Sequence, residues 1–119
     1  MSYSSFEQPI PQISVEELAN RIAEANSDLQ LIDVREPNEL ALASVAGFTN
    51  LPLSQFADWS ETIQAQFDPT AETIVMCHHG MRSQQMCHWL LQQGFTHVKN
   101  VSGGIDAYSA VVDATVPRY

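Results

Sequence analysis

Apolar and polar positions along this chain repeat with two different periods, and the switches between them mark its elements. In ISVEELANRIAEAN (13–26) the apolar residues Val15, Leu18, Ala19, Ile22 and Ala23 recur three and four apart, the spacing of one helix face. Ser14 and Glu17 stand in the S-x-x-E order of a capping box, which sets the start of that helix. LQLIDV (29–34) is a short apolar run with an Asp near its end, as expected of a buried strand in a parallel sheet. After Pro37 one helical turn is predicted, and TNLPL (49–53) holds a brief strand with Pro52 near its edge. Phe56, Trp59, Ile63 and Phe67 again follow helical spacing, predicting a helix from Gln55 to Gln66 that ends at Asp68-Pro69-Thr70. ETIVMC (72–77) is an apolar strand. SQQMCHWLLQQGF is a helix with Met86, Cys87, Leu90 and Leu91 inside, and Gly94 falls where a left-handed residue closes a helix. THVKNV (96–101) is a further strand, and SGGIDAYSAVV is a glycine-rich turn leading into a short helix.

Strands alternating with helices define an α/β domain built on a mostly parallel sheet. The 119 residues suit one domain. We expect a short lead-in over 1–12 and the domain over 13–119.

The formal net charge of −9 excludes a basic nucleic-acid-binding face. An anionic substrate would therefore have to be attracted locally, against the field of the whole chain. No apolar run has the length of a membrane helix. MSYSSFEQPIPQ lacks the basic start and apolar core of a secretory signal, so a cytoplasmic location and no membrane partner are expected. The two cysteines, Cys77 and Cys87, make no disulfide framework and are read as thiols.

The chemistry gathers in VMCHHGMRS (75–83). Cys77 lies at the carboxyl end of a central strand and just before a helix, which is where open α/β sheets bind ligands. The short connection, with Gly80 in its middle, can turn several N–H groups inward as an anion-binding concavity. The helix beginning near Arg82 and Ser83 adds its free amides and positive end. These fields favour a thiolate, and Arg82 offers a fork of donors to an anion. A buried cysteine of this kind is often only a small apolar residue. Here the neighbours His78, His79, Gly80, Arg82 and Ser83 are not core residues, which favours the chemical reading. A metal site is disfavoured, because consecutive side chains diverge and the spacing to Cys87 and His88 matches no standard ligand pattern. The rings of His78 and His79 are read as shaping the mouth of the site, with general-base roles as the alternative. Cys87 belongs to the inner stripe of its helix and is read as structural.

These residues resemble the active-site loop C-x-x-G-x-R-S of single-domain rhodanese-like sulfurtransferases. LIDVREPNEL is similar to that family's D-V-R-x-x-x-E segment. VKNVSGGIDAYSAVVDATVP is similar to its L-x-G-G-I-x-A-W…P signature, with Tyr108 where Trp is usual. The resemblance runs from Ile13 to Pro117. One segment departs from it, since ASVAGFTNLP has Ala43 and Ser44 where Gly and His are usual. The resemblance implies a central five-stranded, mostly parallel sheet flanked by helices on both faces, and no cofactor. It also implies a double displacement. Cys77 takes sulfur from a donor such as thiosulfate, becomes a persulfide, and yields the sulfur to cyanide, a cellular thiol or a partner protein in a sulfur relay. His78, His79, Gly80, Met81, Arg82 and Ser83 would form the substrate loop, with Ser83 anchoring it. Asp33 and Arg35 would be supports, with Arg35 paired to Glu39, and Gly103 and Gly104 would pack close to the loop.

Two alternatives follow from the same residues. A phosphatase or arsenate reductase would use a cysteine and an arginine, but the phosphatase loop is a residue longer than the four (His78, His79, Gly80, Met81) that separate Cys77 from Arg82. A sulfur carrier or binding module would keep the thiol without broad turnover.

Overall fold

Five parallel strands build one sheet in the order β1-β5-β4-β2-β3: β1 Gln12–Ile13, β2 Gln30–Asp33, β3 Thr49–Asn50, β4 Thr73–Met76 and β5 Val98–Val101. The structure is a computed structural model that describes residues 9–24 and 28–119. The first eight residues of the expected lead-in, and the expected helix end at Ala25 and Asn26, lie outside the described residues. The helices are α1 Val15–Ala23, α2 Pro37–Leu42, α3 Phe56–Trp59, α4 Ile63–Gln66, α5 Met81–Gln92 and α6 Gly104–Val111. Among the described residues no helix is long and apolar enough to cross a membrane.

Side-chain alternation along the strands explains the two layers of helices. Successive residues of a strand point to opposite faces, and each central strand is apolar on both. Ile32, Val75 and Val98 pack with Trp59, Ile63, Met86 and Leu90 of α3, α4 and α5. Ile74, Met76 and Val101 pack with Val15, Leu18, Ile105 and Tyr108 of α1 and α6. All four residues of β4 are buried, the polar Thr73 first and then the apolar run Ile74-Val75-Met76. The edge strands β1 and β3 are two residues long, too short to offer much unpaired backbone. β1 was not expected from the pattern, because two residues carry no readable period.

The capping box of α1 forms as predicted, with the Glu17 N–H donating to Ser14 Oγ at 3.1 Å and the Ser14 N–H to Glu17 Oε1 at 3.2 Å. The single helix predicted over Gln55–Gln66 is instead broken. 3₁₀ turns at Leu53–Gln55 and Ser60–Thr62 precede α3 and α4. Thr62 Oγ1 donates to the Trp59 carbonyl at 3.3 Å, a local bond of the type that competes with regular helix. The Trp59 indole N–H donates back to the Pro52 carbonyl at 2.9 Å and ties α3 to the preceding turn. Trp59, Ile63 and Phe67 are still buried, as their spacing required, while Phe56 is partly exposed and meets Trp59 and Trp89 edge-on.

β2 ends in a buried ion pair. Arg35 is fully buried, and its Nη2 lies 2.8 Å from Asp33 Oδ2. The same guanidinium donates to the carbonyls of Ala43 (2.9 Å) and Glu39 (3.3 Å). The expected pairing of Arg35 with the Glu39 carboxylate does not occur. Asp33, two residues earlier, points to the same side of the chain and supplies the carboxylate, and only the backbone of Glu39 is used. Arg35 thereby fixes α2 and the turn after it to the end of the sheet. Removing one member of a buried pair strands the other, at a cost of about 3–5 kcal/mol. Asp33→Asn should lose about that much stability in urea denaturation, and a loss below about 1 kcal/mol would show that the pair does not hold this corner.

Candidate active site

Cys77 follows the last residue of β4, and its side chain continues the face that carries Val75, towards α5. It is buried, and its Sγ accepts the Gly80 N–H at 3.0 Å. Ser83 Oγ lies 3.2 Å from the same sulfur. Gly80 adopts φ +105°, a conformation that favours glycine, and a Cβ there would come within 3.3 Å of the Val101 carbonyl. The loop reverses in three residues because of this conformation, and α5 begins at Met81, one to two residues before the start expected near Arg82 and Ser83.

The loop carbonyls are turned away from the sulfur by α6. The N–H of Ile105 donates to the Cys77 carbonyl at 2.9 Å, and that of Asp106 to the His78 carbonyl at 3.1 Å. The free amides of the α6 start thus hold the loop, while the Gly80 N–H, just before α5, faces the sulfur. Gly104, at φ +61°, makes the approach possible. A Cβ on it would lie 2.4 Å from both carbonyl oxygens.

Asn100 of β5 was missed in the sequence. It is buried, and three acceptors share the two hydrogens of its Nδ2, the Gly80 carbonyl (3.0 Å), Gln12 Oε1 (3.1 Å) and Gln84 Oε1 (3.1 Å). Those acceptors turn its Oδ1 to Ser83 Oγ. An amide in the strand VKNV, three residues before Gly103, was the available signal. Beside this network opens a depression of about 530 Å³ walled by Gln12, His79, Gly80, Gln84, Asn100 and Ser102 among others. Cys77 does not line it.

On the other side of the loop Arg82 forms a two-pronged pair with Glu39, at 2.7 Å and 2.9 Å. Arg82, above all, holds the Glu39 carboxyl at about 2, against burial that opposes it. Tyr119 was also missed. Its hydroxyl accepts from Arg35 Nη1 at 2.9 Å and donates to Glu39 Oε1 at 3.0 Å. Its ring stacks on His78 at 3.9 Å, and His78 stacks in turn on His79. His78 Nε2 is buried with no hydrogen-bond partner, and burial, with the neighbouring His79, pushes its imidazolium below the usual range. His79 is exposed, and its Nδ1 lies 4.0 Å from Asp106. Met81 stands on the rim, 78% exposed.

Of the residues from His78 to Ser83, Gly80 and Ser83 reach the sulfur, His79 and Met81 face outwards and Arg82 turns to Glu39, while Gly103 and Gly104 pack against the loop at the start of α6. Asp33 and Arg35 do not reach the sulfur and act on α2. Cys87 is fully buried on the inner face of α5, and burial, then the nearby Cys77, pushes its thiol up to about 12.

A parallel sheet presenting a cysteine in the four-residue connection from Cys77 to Gly80 between a strand and a helix, braced by a double glycine turn, defines a class of domain. The family model of the rhodanese-like domain matches residues 14–111, and the chain belongs to the rhodanese-like sulfurtransferase family. Rhodanese-like/PpiC domain-containing protein 12, chloroplastic, of Arabidopsis thaliana is 45% identical over 114 residues, covering 94% of this chain and 38% of that protein. The putative sulfurtransferase YtwF of Bacillus subtilis is 36% identical over 99 residues, covering 83% of this chain and 90% of that protein. The crystal structure of a rhodanese-like domain protein from Staphylococcus aureus superposes with a TM-score of 0.72 at 25% identity, covering 83% of this chain and 91% of that one. The chain spans well under half the length of several curated relatives it matches.

Two outcomes follow from this geometry. Gly104→Ala should lose at least about 1–3 kcal/mol from backbone strain alone, and the clash with two carbonyls should open the Cys77 loop. Chemical denaturation and the rate of Cys77 alkylation read both effects, and unchanged values would remove the constraint. The Glu39 carboxyl falls from its ordinary 4.5 to about 2, so its pairing adds stability above pH 4.5 and loses it as pH falls towards 2. Glu39→Gln should flatten the stability profile in that window and leave its shape elsewhere unchanged.

Proposed function

We propose that the chain is a thiosulfate sulfurtransferase-type enzyme that moves sulfur through a persulfide on Cys77. The observation that carries this reading is the setting of Cys77 Sγ, which accepts the Gly80 N–H and faces the Ser83 hydroxyl at the start of α5. Negative charge at that point is stabilised by the fixed Gly80 N–H, a donor that needs no rearrangement. The Cys77 thiolate attacks the outer sulfur of thiosulfate. The new S–S bond forms as the old one breaks, and sulfite leaves with the electron pair. A thiophilic acceptor, cyanide or a thiol, then attacks the terminal sulfur and releases the Cys77 thiolate.

The other residues take roles consistent with their contacts. The amides from His78 to Arg82 hold the persulfide's charge, and Ser83, which donates its proton to Asn100, anchors the loop at the start of α5. His78, His79 and Met81 shape the entrance. Gly103 and Gly104 give the loop its backbone support, and Asp33 and Arg35 hold α2 in place. The relative named a putative sulfurtransferase, which this chain matches over 90% of that protein, supports the same class of reaction. A loop of four residues between Cys77 and Arg82 suits one sulfur atom better than a tetrahedral phosphate.

Intact mass tests this. Incubation with excess thiosulfate or with a hydropersulfide should add the mass of one sulfur atom, cyanide should remove it and form thiocyanate, and Cys77→Ser should never acquire it. A wild-type protein unmodified by both donors would refute the reading. Cys87→Ala should keep persulfide formation and lose about 1–2 kcal/mol of stability, in keeping with a small buried side chain. Loss of persulfide formation in that variant would overturn its structural assignment.

A further inference from the structure

The chain has five lysines and arginines, and each of them is in an ion pair. Arg35 is bound to Asp33, Arg82 to Glu39 and Arg118 to Asp106. Arg21 and Lys99 share Glu72, away from the thiol. An anion approaching Cys77 therefore meets no uncompensated lysine or arginine, in a chain of net charge −9. The only cation in the Cys77 loop itself, Arg82, faces a carboxylate that is hard to dislodge. Glu39 Oε2 accepts from Arg82 Nη1 and, at 2.9 Å, from the Glu36 N–H, and Oε1 accepts from Arg82 Nη2 and the Tyr119 hydroxyl. Four donors fill the acceptor sites of one carboxylate. Tyr119 can only donate in that direction, because Arg35 donates to its oxygen from the other side.

We propose that Glu39 sets the donor class. The site takes sulfane sulfur from donors of low charge, hydropersulfides of thiols, in preference to dianions such as thiosulfate, and Glu39 imposes this by keeping Arg82 engaged. Tyr119 supports it as a positioning residue. This rests on the persulfide reading of Cys77. With a hydropersulfide, the Cys77 thiolate attacks the terminal sulfur. A Cys77–sulfur bond forms, the donor's S–S bond breaks, and the donor thiol leaves with the electron pair as a thiolate. The proton of the terminal sulfur stays on it, so the step gives the Cys77 persulfide and needs no oxidant or reductant. With thiosulfate, a dianion has to settle beside an ionised Glu39, and like charges at short range are costly.

The test compares loading of Cys77 by thiosulfate and by cysteamine hydropersulfide, whose ammonium offsets the charge of its sulfur. Rates come from intact mass in wild type, Glu39→Gln and Tyr119→Phe. Gln keeps the shape and an acceptor for Arg82 but loses the charge. We expect Glu39→Gln to raise the thiosulfate-to-hydropersulfide ratio by on the order of tenfold, and Tyr119→Phe to raise it by a smaller factor. The gain in Glu39→Gln should shrink as salt is added, because it comes from an uncovered cation. A merely structural role would change both donors alike, so an unchanged ratio in both variants overturns the proposal. Should Glu39→Gln fail to fold, the Tyr119→Phe ratio decides. If neither donor loads wild type, the persulfide reading fails and this inference fails with it.

Discussion

The turn at Gly103 and Gly104 has to touch the backbone of Cys77 and His78, and a side chain of any kind at Gly104 would forbid the contact. A Cβ there would sit 2.4 Å from two carbonyl oxygens. Because the approach is allowed, the first amides of α6 take those carbonyls, and the loop gives its Gly80 N–H to the sulfur. The same contact sets the distance between β5 and the loop. Asn100 then reaches the Gly80 carbonyl on one side and Ser83 on the other. The sulfur's surroundings follow from one close packing of backbone on backbone. No array of charges is needed to build them.

Charge is handled by pairing. In an acidic chain with few cations, a free arginine beside the thiol would be the strongest local field, and Arg82 is placed to provide it. Its two-pronged bond with Glu39 removes that field from anything outside. The buried Asp33–Arg35 pair does similar work one layer deeper, where it fixes α2 and hence Glu39. The polarity of the site thus comes chiefly from amides and hydroxyls. Such dipoles stabilise a charge formed at the sulfur more effectively than they attract one from a distance, because their influence falls off quickly with range.

The readable parts of the sequence were those with a local cause. Ser14 and Glu17 announce α1 because a capping box is made within four residues. β4 is legible from the run Ile74-Val75-Met76, because a strand buried on both faces is largely apolar. Cys77, Gly80 and Ser83 could be grouped because a tight strand–loop–helix connection brings them together whatever else the chain does. The helix expected over Gln55–Gln66 failed where a hydroxyl of Thr62 and the indole of Trp59 found nearby carbonyls, and apolar spacing carries no record of such bonds. The partner of Arg35 was misjudged between two carboxylates, since both Asp33 and Glu39 stand within reach along the chain and only the packing of α2 selects between them.

By itself, the sequence determined the alternation of strands and helices, the strand-end position of the thiol and the glycines around it, because each rests on periods and turn chemistry a few residues long. The tertiary structure decided what reaches the Cys77 loop from elsewhere. Asn100 comes from the neighbouring strand, Glu39 from the helix after β2, and Tyr119 from the far end of the chain. Their separations from Cys77 are too large for any local pattern to carry. Only the parallel sheet order, which seats β4 between β2 and β5, brings them to one loop.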